Sequence, residues 1–197
     1  NGMDVDLFRN TGEKREQNAL LFVGNTEDHK KGVHFLFEAL SLLPEKVRLT
    51  VVDEKKQNAS GLVKKFGVEK RVEFTGKVDH RTLVSLYSRK TVLVMSSLYE
   101  GFGLPAAEAM ACKTPVVATA AGALKEVVDA DTGILVPPGD AAALADAIMR
   151  LLNDAGLRKK MGEKGRLRAE NNFAWPVAAK NTLDVYRDVI AGFRSSQ

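Results

Sequence analysis

Residues 91–118 read Thr91-Val92-Leu93-Val94-Met95-Ser96-Ser97-Leu98-Tyr99-Glu100-Gly101-Phe102-Gly103-Leu104-Pro105-Ala106-Ala107-Glu108-Ala109-Met110-Ala111-Cys112-Lys113-Thr114-Pro115-Val116-Val117-Ala118, and this stretch decides the fold. Thr91–Met95 and Thr114–Ala118 are short apolar runs without alternation, as expected of strands covered on both faces in a parallel sheet. Between them a glycine-rich loop runs into a helix of small residues, with Pro105 suited to its first turn. Strand, helix, strand is a βαβ unit, and such crossovers are right-handed.

The same alternation extends in both directions. Ala19–Val23 reads as the first strand, and Val33, Leu36, Phe37, Leu40 and Leu43 recur at helical spacing until Pro44 stops them. Val47–Val52 is the second strand, Ala59–Phe66 a short helix, and Arg71–Thr75 the third strand, ended by Gly76. Asp79 caps a helix marked by Leu83 and Leu86-Tyr87. Gly133–Val136 is the sixth strand. Three helical segments close the chain: one capped by Asp140, one over roughly Leu157 to Glu170, and one with Trp175, Ala178, Ala179, Thr182, Leu183, Tyr186, Val189 and Ile190 on a single face. Six such strands predict a Rossmann-like, doubly wound α/β fold with strand order 3-2-1-4-5-6 and extra C-terminal helices. Residues 1–18 are polar and non-periodic and read as a lead-in to a domain over 19–172, with a final helix over 173–197.

The 197 residues are 45% apolar and 27% charged, enough to bury a core without disulfide or metal staples. No run approaches the roughly 18 apolar residues of a membrane span. Asn1-Gly2-Met3-Asp4 has neither the basic start nor the apolar stretch of a signal peptide. A chain beginning without Met is expected to be a piece of a longer or processed one. The single cysteine, Cys112, rules out an internal disulfide and fits a reducing cytoplasm; it reads either as a reactive thiol or, with no His nearby in sequence, as a buried structural one. With 29 Lys and Arg against 25 Asp and Glu, the net charge of +4 favours anionic ligands or an anionic membrane surface. The basic residues are scattered and aromatics are only 7%, which is no nucleic-acid signature.

Ligands of such sheets bind beyond the carboxyl ends of the strands where strand order reverses, here between strands one and four. The loop after Met95 leads into a helix N-terminus with free N–H groups and the positive end of the helix dipole, a ready anion site. Glu108 stands inside the otherwise apolar helix. It either faces solvent, pairs with a lysine, or accepts hydrogen bonds from ligand hydroxyls. Glu100 is a loop carboxylate, for which solvation is the default. The loop after Val23, Gly24-Asn25-Thr26-Glu27-Asp28-His29-Lys30-Lys31-Gly32, holds neither G-x-G-x-x-G nor G-x-x-x-x-G-K-[ST]. Its two lysines read either as solvated surface or as a phosphate contact.

Glu100-Gly101-Phe102-Gly103-Leu104-Pro105-Ala106-Ala107-Glu108-Ala109-Met110 resembles the E-x7-E segment of the retaining glycosyltransferases of the group 1 (family 4) type. Thr114–Thr119 with Gly122 and Glu126, Gly133–Asp140, Phe22-Val23-Gly24 with Lys31-Gly32, and Asn1–Asp4 with Phe8 resemble other segments of that family in order. The resemblance implies the C-terminal, nucleotide-sugar-binding half of a GT-B enzyme, without the N-terminal domain that shapes the acceptor site. The final helix would cross back to that missing domain.

By the same resemblance, Glu108 holds the ribose hydroxyls and Glu100 lies near the donor sugar. Gly101, Phe102, Gly103 and Leu104 meet the diphosphate and sugar through backbone N–H groups, and Lys31 meets the diphosphate. Catalysis would fall to Glu100 and Lys31, with Gly24 and Asn25 in the donor site. The family commonly has Arg where this chain has Asn25, which implies a weaker hold on diphosphate. The implied reaction is retaining transfer from a UDP or GDP sugar to an acceptor hydroxyl, glycan or lipid-linked, with no metal or other cofactor. The whole protein would be cytoplasmic, with peripheral contact at the inner face of a membrane, and this fragment alone inactive. Two rival readings remain. An NAD-dependent oxidoreductase domain lacks its glycine fingerprint here. A non-catalytic nucleotide-binding or scaffolding domain would have a site decayed at Asn25.

Overall fold

The computed structural model describes residues 1–53 and 59–195. Six strands form one parallel sheet: β1 (Ala19–Val23), β2 (Arg48–Val52), β3 (Val72–Phe74), β4 (Val92–Met95), β5 (Val116–Thr119) and β6 (Gly133–Val136). Their order is β3-β2-β1-β4-β5-β6, as the sequence predicts, with every neighbouring pair parallel. The order reverses between β1 and β4.

Alternate residues of each strand feed two cores, because successive side chains leave opposite faces. Leu20, Phe22, Leu49, Val51, Val92, Val94 and Val117 pack under α1 (Val33–Leu42), α2 (Ser60–Lys65) and α6 (Ala141–Asn153). Leu21, Val52, Leu93, Met95, Val116 and Ala118 pack under α3 (His80–Arg89), α4 (Leu104–Ala111) and α5 (Leu124–Val127). The alanines of α4 let it lie close on the sheet; Ala106, Ala107, Ala109 and Ala111 are fully buried. Cys112, just after them, is also buried.

The predicted caps form: Asp79 accepts from Thr82 N at 2.7 Å and Asp140 from Ala143 N at 2.8 Å. Several boundaries differ from the sequence reading. Glu69–Arg71 wind into a 3-10 turn, which shortens β3. α7 (Ala155–Arg168) begins earlier than Leu157 because Asp154 caps it, and a π-helical turn over Ala169–Phe173 follows it. α5 carries too few turns to leave a periodic signal. α8 spans Trp175–Ser195, longer than its apolar row suggests.

Residues 1–18 are more than a lead-in. Met3 pairs with the chain beside Ala174, donating to Phe173 O and accepting from Trp175 N. The Arg15 guanidinium donates to the carbonyls of Lys90 and Lys113 and to Thr114 Oγ1. Glu16 pairs with Arg89 and Lys90, and Arg166 donates to the carbonyls of Val5, Phe8 and Ala111. These bonds join polar side chains to helix ends and leave no hydrophobic period in the sequence.

Candidate functional site

The loops after β1 and β4 meet at the switch point and are stitched together. Leu98 N donates to Lys30 O at 2.6 Å and Ser96 Oγ to Lys31 O at 2.8 Å. Gly32 sits between them in the left-handed region (φ +59°), and a Cβ there would lie 2.1 Å from Ser96 O. Only glycine allows this approach without strain. The consequence is a specific pairing: Lys31 Nζ lies 2.8 Å from Glu100 Oε2, with the two side chains 24% and 11% exposed. Ser97 Oγ donates to the same carboxylate oxygen at 3.2 Å. Glu100 is therefore no solvated loop carboxylate. Its backbone is fixed from below, since Ala123 N donates to Glu100 O at 3.0 Å. Gly122 (φ +53°) would place a Cβ 2.2 Å from that same oxygen.

The loop then enters α4 through Gly103 (φ +95°), where a Cβ would strike Leu124. Pro105 occupies the first turn, as expected. The N–H groups of Phe102, Gly103 and Leu104 donate to no group among the described residues. They gather at the positive end of the helix beside Lys31, an arrangement suited to a di-anion. Phe102 packs edge-on against Phe173, 5.7 Å between centroids, which anchors the loop.

Glu108 is half-buried one turn further along α4 and has a partner that the sequence reading did not name. Tyr87 Oη, on α3, donates to Glu108 Oε2 at 2.8 Å. Burial pushes the Glu108 carboxyl above its ordinary range, while the Tyr87 hydrogen bond and the nearby His80 pull it back. Burial, then the Glu108 charge, pushes the Tyr87 hydroxyl well up. The signal available in the sequence was a tyrosine on an otherwise apolar helix face, where its hydroxyl needs a partner. Cys112 is nearby; burial, with the Glu108 charge, raises its thiol to about 12, so it is neutral and unreactive.

Gly24 and Asn25 line a cavity of about 290 Å³ at the carboxyl ends of β1 and β2, with Val23, Val52, Asp53, Lys77, Val78 and Leu83. Asn25 is exposed, and its Oδ1 accepts from Glu27 N at 2.9 Å in a local turn. Thr26 donates through its N–H and hydroxyl to Asp53, which ties the β1 and β2 loops together. The structure thus brings Lys31, Ser97 and Glu100 into one cluster, Glu108 and Tyr87 into a second, and Gly24 and Asn25 into the cavity wall. Among the described residues no three His, Cys, Asp or Glu groups converge as a metal site. A second cavity, of about 400 Å³ and lined by Arg15, Lys113 and Arg158, opens at the opposite end of the sheet. There Arg15 and Arg158 donate to carbonyls closing α3, α4 and α6, which accounts for their charge structurally.

Residues 5–168 match the family model described as glycosyl transferases group 1. The chain belongs to that family. The MMP alpha-(1->4)-mannosyltransferase of Mycolicibacterium hassiacum is 35% identical over 196 residues, covering 96% of this chain and 47% of that protein. Sucrose-phosphate synthase from Thermosynechococcus elongatus superposes with a TM-score of 0.86 at 36% identity, covering 97% of this chain and 52% of that one. Anabaena HepE in complex with UDP and glucose superposes with a TM-score of 0.80 at 25% identity, covering all of this chain and 56% of that one. The glycosyltransferase chain therefore spans about half the length of the relatives it matches. The resemblance read from Glu100–Met110 and its flanking strands is borne out. No helix among the described residues is long and apolar enough to cross a membrane.

Proposed function

We propose that the chain is the donor-binding, C-terminal half of a retaining GT-B glycosyltransferase that takes a nucleotide-diphosphate sugar. The observation that carries this reading is the Lys31–Glu100 pair, 2.8 Å apart at the β1/β4 switch point beside the N-terminus of α4. A departing nucleoside diphosphate gains charge as the bond from its terminal oxygen to the anomeric carbon breaks. Lys31 and the N–H groups of Gly101, Phe102, Gly103 and Leu104 would stabilise that charge through fixed donors aimed at the phosphates. Glu100, held by Ser97 and Ala123, would face the sugar, and Glu108 the ribose hydroxyls. The base would enter the cavity walled by Gly24, Asn25, Lys77 and Val78. This reading gives no part to a metal. The similar HepE structure with UDP and glucose supports a nucleotide-sugar donor.

The acceptor half would lie in an N-terminal domain. The exposed row Trp175, Leu183, Tyr186, Val189 and Ile190 on α8 suits packing against that domain, with the whole enzyme acting on a glycan or lipid-linked acceptor in the cytoplasm, peripheral to the membrane. The test is a calorimetric screen of UDP, GDP and ADP and their sugars. One nucleoside diphosphate should bind well above the others, while the chain alone transfers no sugar. Absence of binding by all three would overturn the donor assignment, and multiple turnovers by this chain alone would overturn the division of labour.

A further inference from the structure

We propose that Tyr87 is a positioning residue for the donor: its hydroxyl fixes one oxygen of the Glu108 carboxylate and so presents the other to the ligand. The inference rests on Glu108 being a donor-binding carboxylate.

Tyr87 is fully buried on α3, and its hydroxyl donates to Glu108 Oε2 at 2.8 Å. Among the described residues this is the only hydrogen bond of either side chain, so Glu108 Oε1 is left without a protein donor. For packing alone a phenylalanine would serve, because a buried hydroxyl costs stability unless it is bonded. Full burial holds the ring in place. The Tyr87 carbonyl accepts from Thr114 Oγ1, and Phe8 packs edge-on against the ring at 6.2 Å. Leu83, one turn earlier on the same face of α3, lines the cavity that Gly24 and Asn25 wall. Tyr87 itself is fully buried and does not line that cavity, so it acts on the donor only through Glu108.

The hydroxyl also governs ionisation. The titratable groups facing Glu108 are Tyr87 and His80 from α3 and Cys112 just after α4, with Arg166 of α7 and Arg15 acting on Cys112 in turn. Burial opposes the Glu108 charge, and the Tyr87 hydrogen bond is the larger of the two influences that favour it. Without that bond the carboxyl would hold its proton to higher pH, and a protonated carboxyl accepts poorly from sugar hydroxyls.

The experiment compares wild type, Tyr87→Phe and Glu108→Gln. The Glu108 side-chain carboxyl is followed by carbon NMR across about pH 4 to 7, and UDP, GDP and ADP are each titrated over the same range. Tyr87→Phe should melt as a folded domain and shift the Glu108 titration to higher pH. It should bind nucleotide about tenfold more weakly at neutral pH, where the carboxylate is no longer held in one orientation, with a wider gap at the acid end, where the carboxyl is also protonated. Glu108→Gln should lose affinity most at neutral pH, where the wild-type carboxylate is charged. Wild-type affinity in Tyr87→Phe at neutral pH would overturn the positioning role, and an unmoved Glu108 titration would overturn it too, by showing that the hydroxyl does not act on the carboxylate. Loss in Glu108→Gln without loss in Tyr87→Phe removes Tyr87 alone. Unchanged binding in Glu108→Gln removes the donor role of Glu108, and the role of Tyr87 with it.

Discussion

Lys31→Met tests the cluster at the switch point through two readouts that need not move together. The pair is 24% and 11% exposed at 2.8 Å, between the exposed limit, where ion pairs contribute about 0–1 kcal/mol, and the buried limit, where removing one partner costs about 3–5 kcal/mol. Lys31→Met should therefore destabilise the free domain by roughly 2 kcal/mol, a melting shift of about 4–8 °C for a chain of this size. Glu100→Gln keeps an acceptor for Lys31 and Ser97 and should cost less. The double variant should recover part of the loss, because the uncompensated carboxylate is gone. Binding should follow a different order. Lys31→Met removes a charge-assisted donor to the diphosphate, about 1.5–3 kcal/mol or ten- to a hundredfold in affinity. Glu100→Gln removes a negative charge beside the phosphates and loosens its hold on Lys31, so a bare nucleoside diphosphate should bind at least as tightly as to the parent. Differential scanning calorimetry and isothermal titration with UDP, GDP and ADP on the four proteins give both orders. Equal losses of affinity in Lys31→Met and Glu100→Gln would refute the reasoning, since the pair would then act as scaffold rather than as a phosphate donor beside an opposing charge.

Gly122→Ala should weaken nucleotide binding and lower the melting temperature together, because its Cβ would lie 2.2 Å from Glu100 O at φ +53°; binding isotherms of a variant that still melts cooperatively check it. Glu108 has a folded-state carboxyl raised above its ordinary value of 4.5 by burial, so its stability contribution is present below that value and is lost as pH rises towards the raised one. Glu108→Gln carries no such charge and should melt higher than the parent at neutral pH in the absence of nucleotide, a difference that vanishes in acid. Asn25→Arg should tighten diphosphate binding by up to about 1.5–3 kcal/mol, set against the Oδ1 bond from Glu27 N that is lost and the entropy of ordering a long side chain; titration of variant and parent decides the sign. The Cys112 thiol, raised to about 12, should resist alkylation at neutral pH in the folded domain and react on unfolding, as mass spectrometry would register.

The sheet was legible because its evidence is local. The runs Ala19–Val23, Thr91–Met95 and Gly133–Val136 are apolar, bounded by glycine, proline or polar residues, and separated by helical periods, so strand order followed from handedness and topology. Asp79 and Asp140 announced two helix starts for the same reason. The site was legible only in part. Glu100, Lys31 and Glu108 stood out from their loops, and the resemblance assigned them roles. The Lys31–Glu100 contact, however, depends on Gly32 letting two loops meet that are 69 residues apart in the chain. The Tyr87–Glu108 contact joins two helices whose facing is set by the sheet, and Tyr87 looked like one more core residue. Residues 1–18 were opaque because Arg15, Glu16 and Met3 act through backbone carbonyls and charged partners, which leave no period. α5 is a four-residue turn between β5 and β6, too short for a hydrophobic face to show.

The central claim is that a nucleoside diphosphate binds at the carboxyl ends of β1 and β4. The most direct measurement is amide NMR of the labelled chain titrated with UDP, GDP and ADP. The account expects shifts at Gly24, Asn25, Lys31, Gly101, Phe102, Gly103, Leu104 and Glu108, saturating together for the preferred base. Shifts confined to the opposite end of the sheet, around Arg15, Lys113 and Arg158, or no shift with any of the three nucleotides, would contradict it.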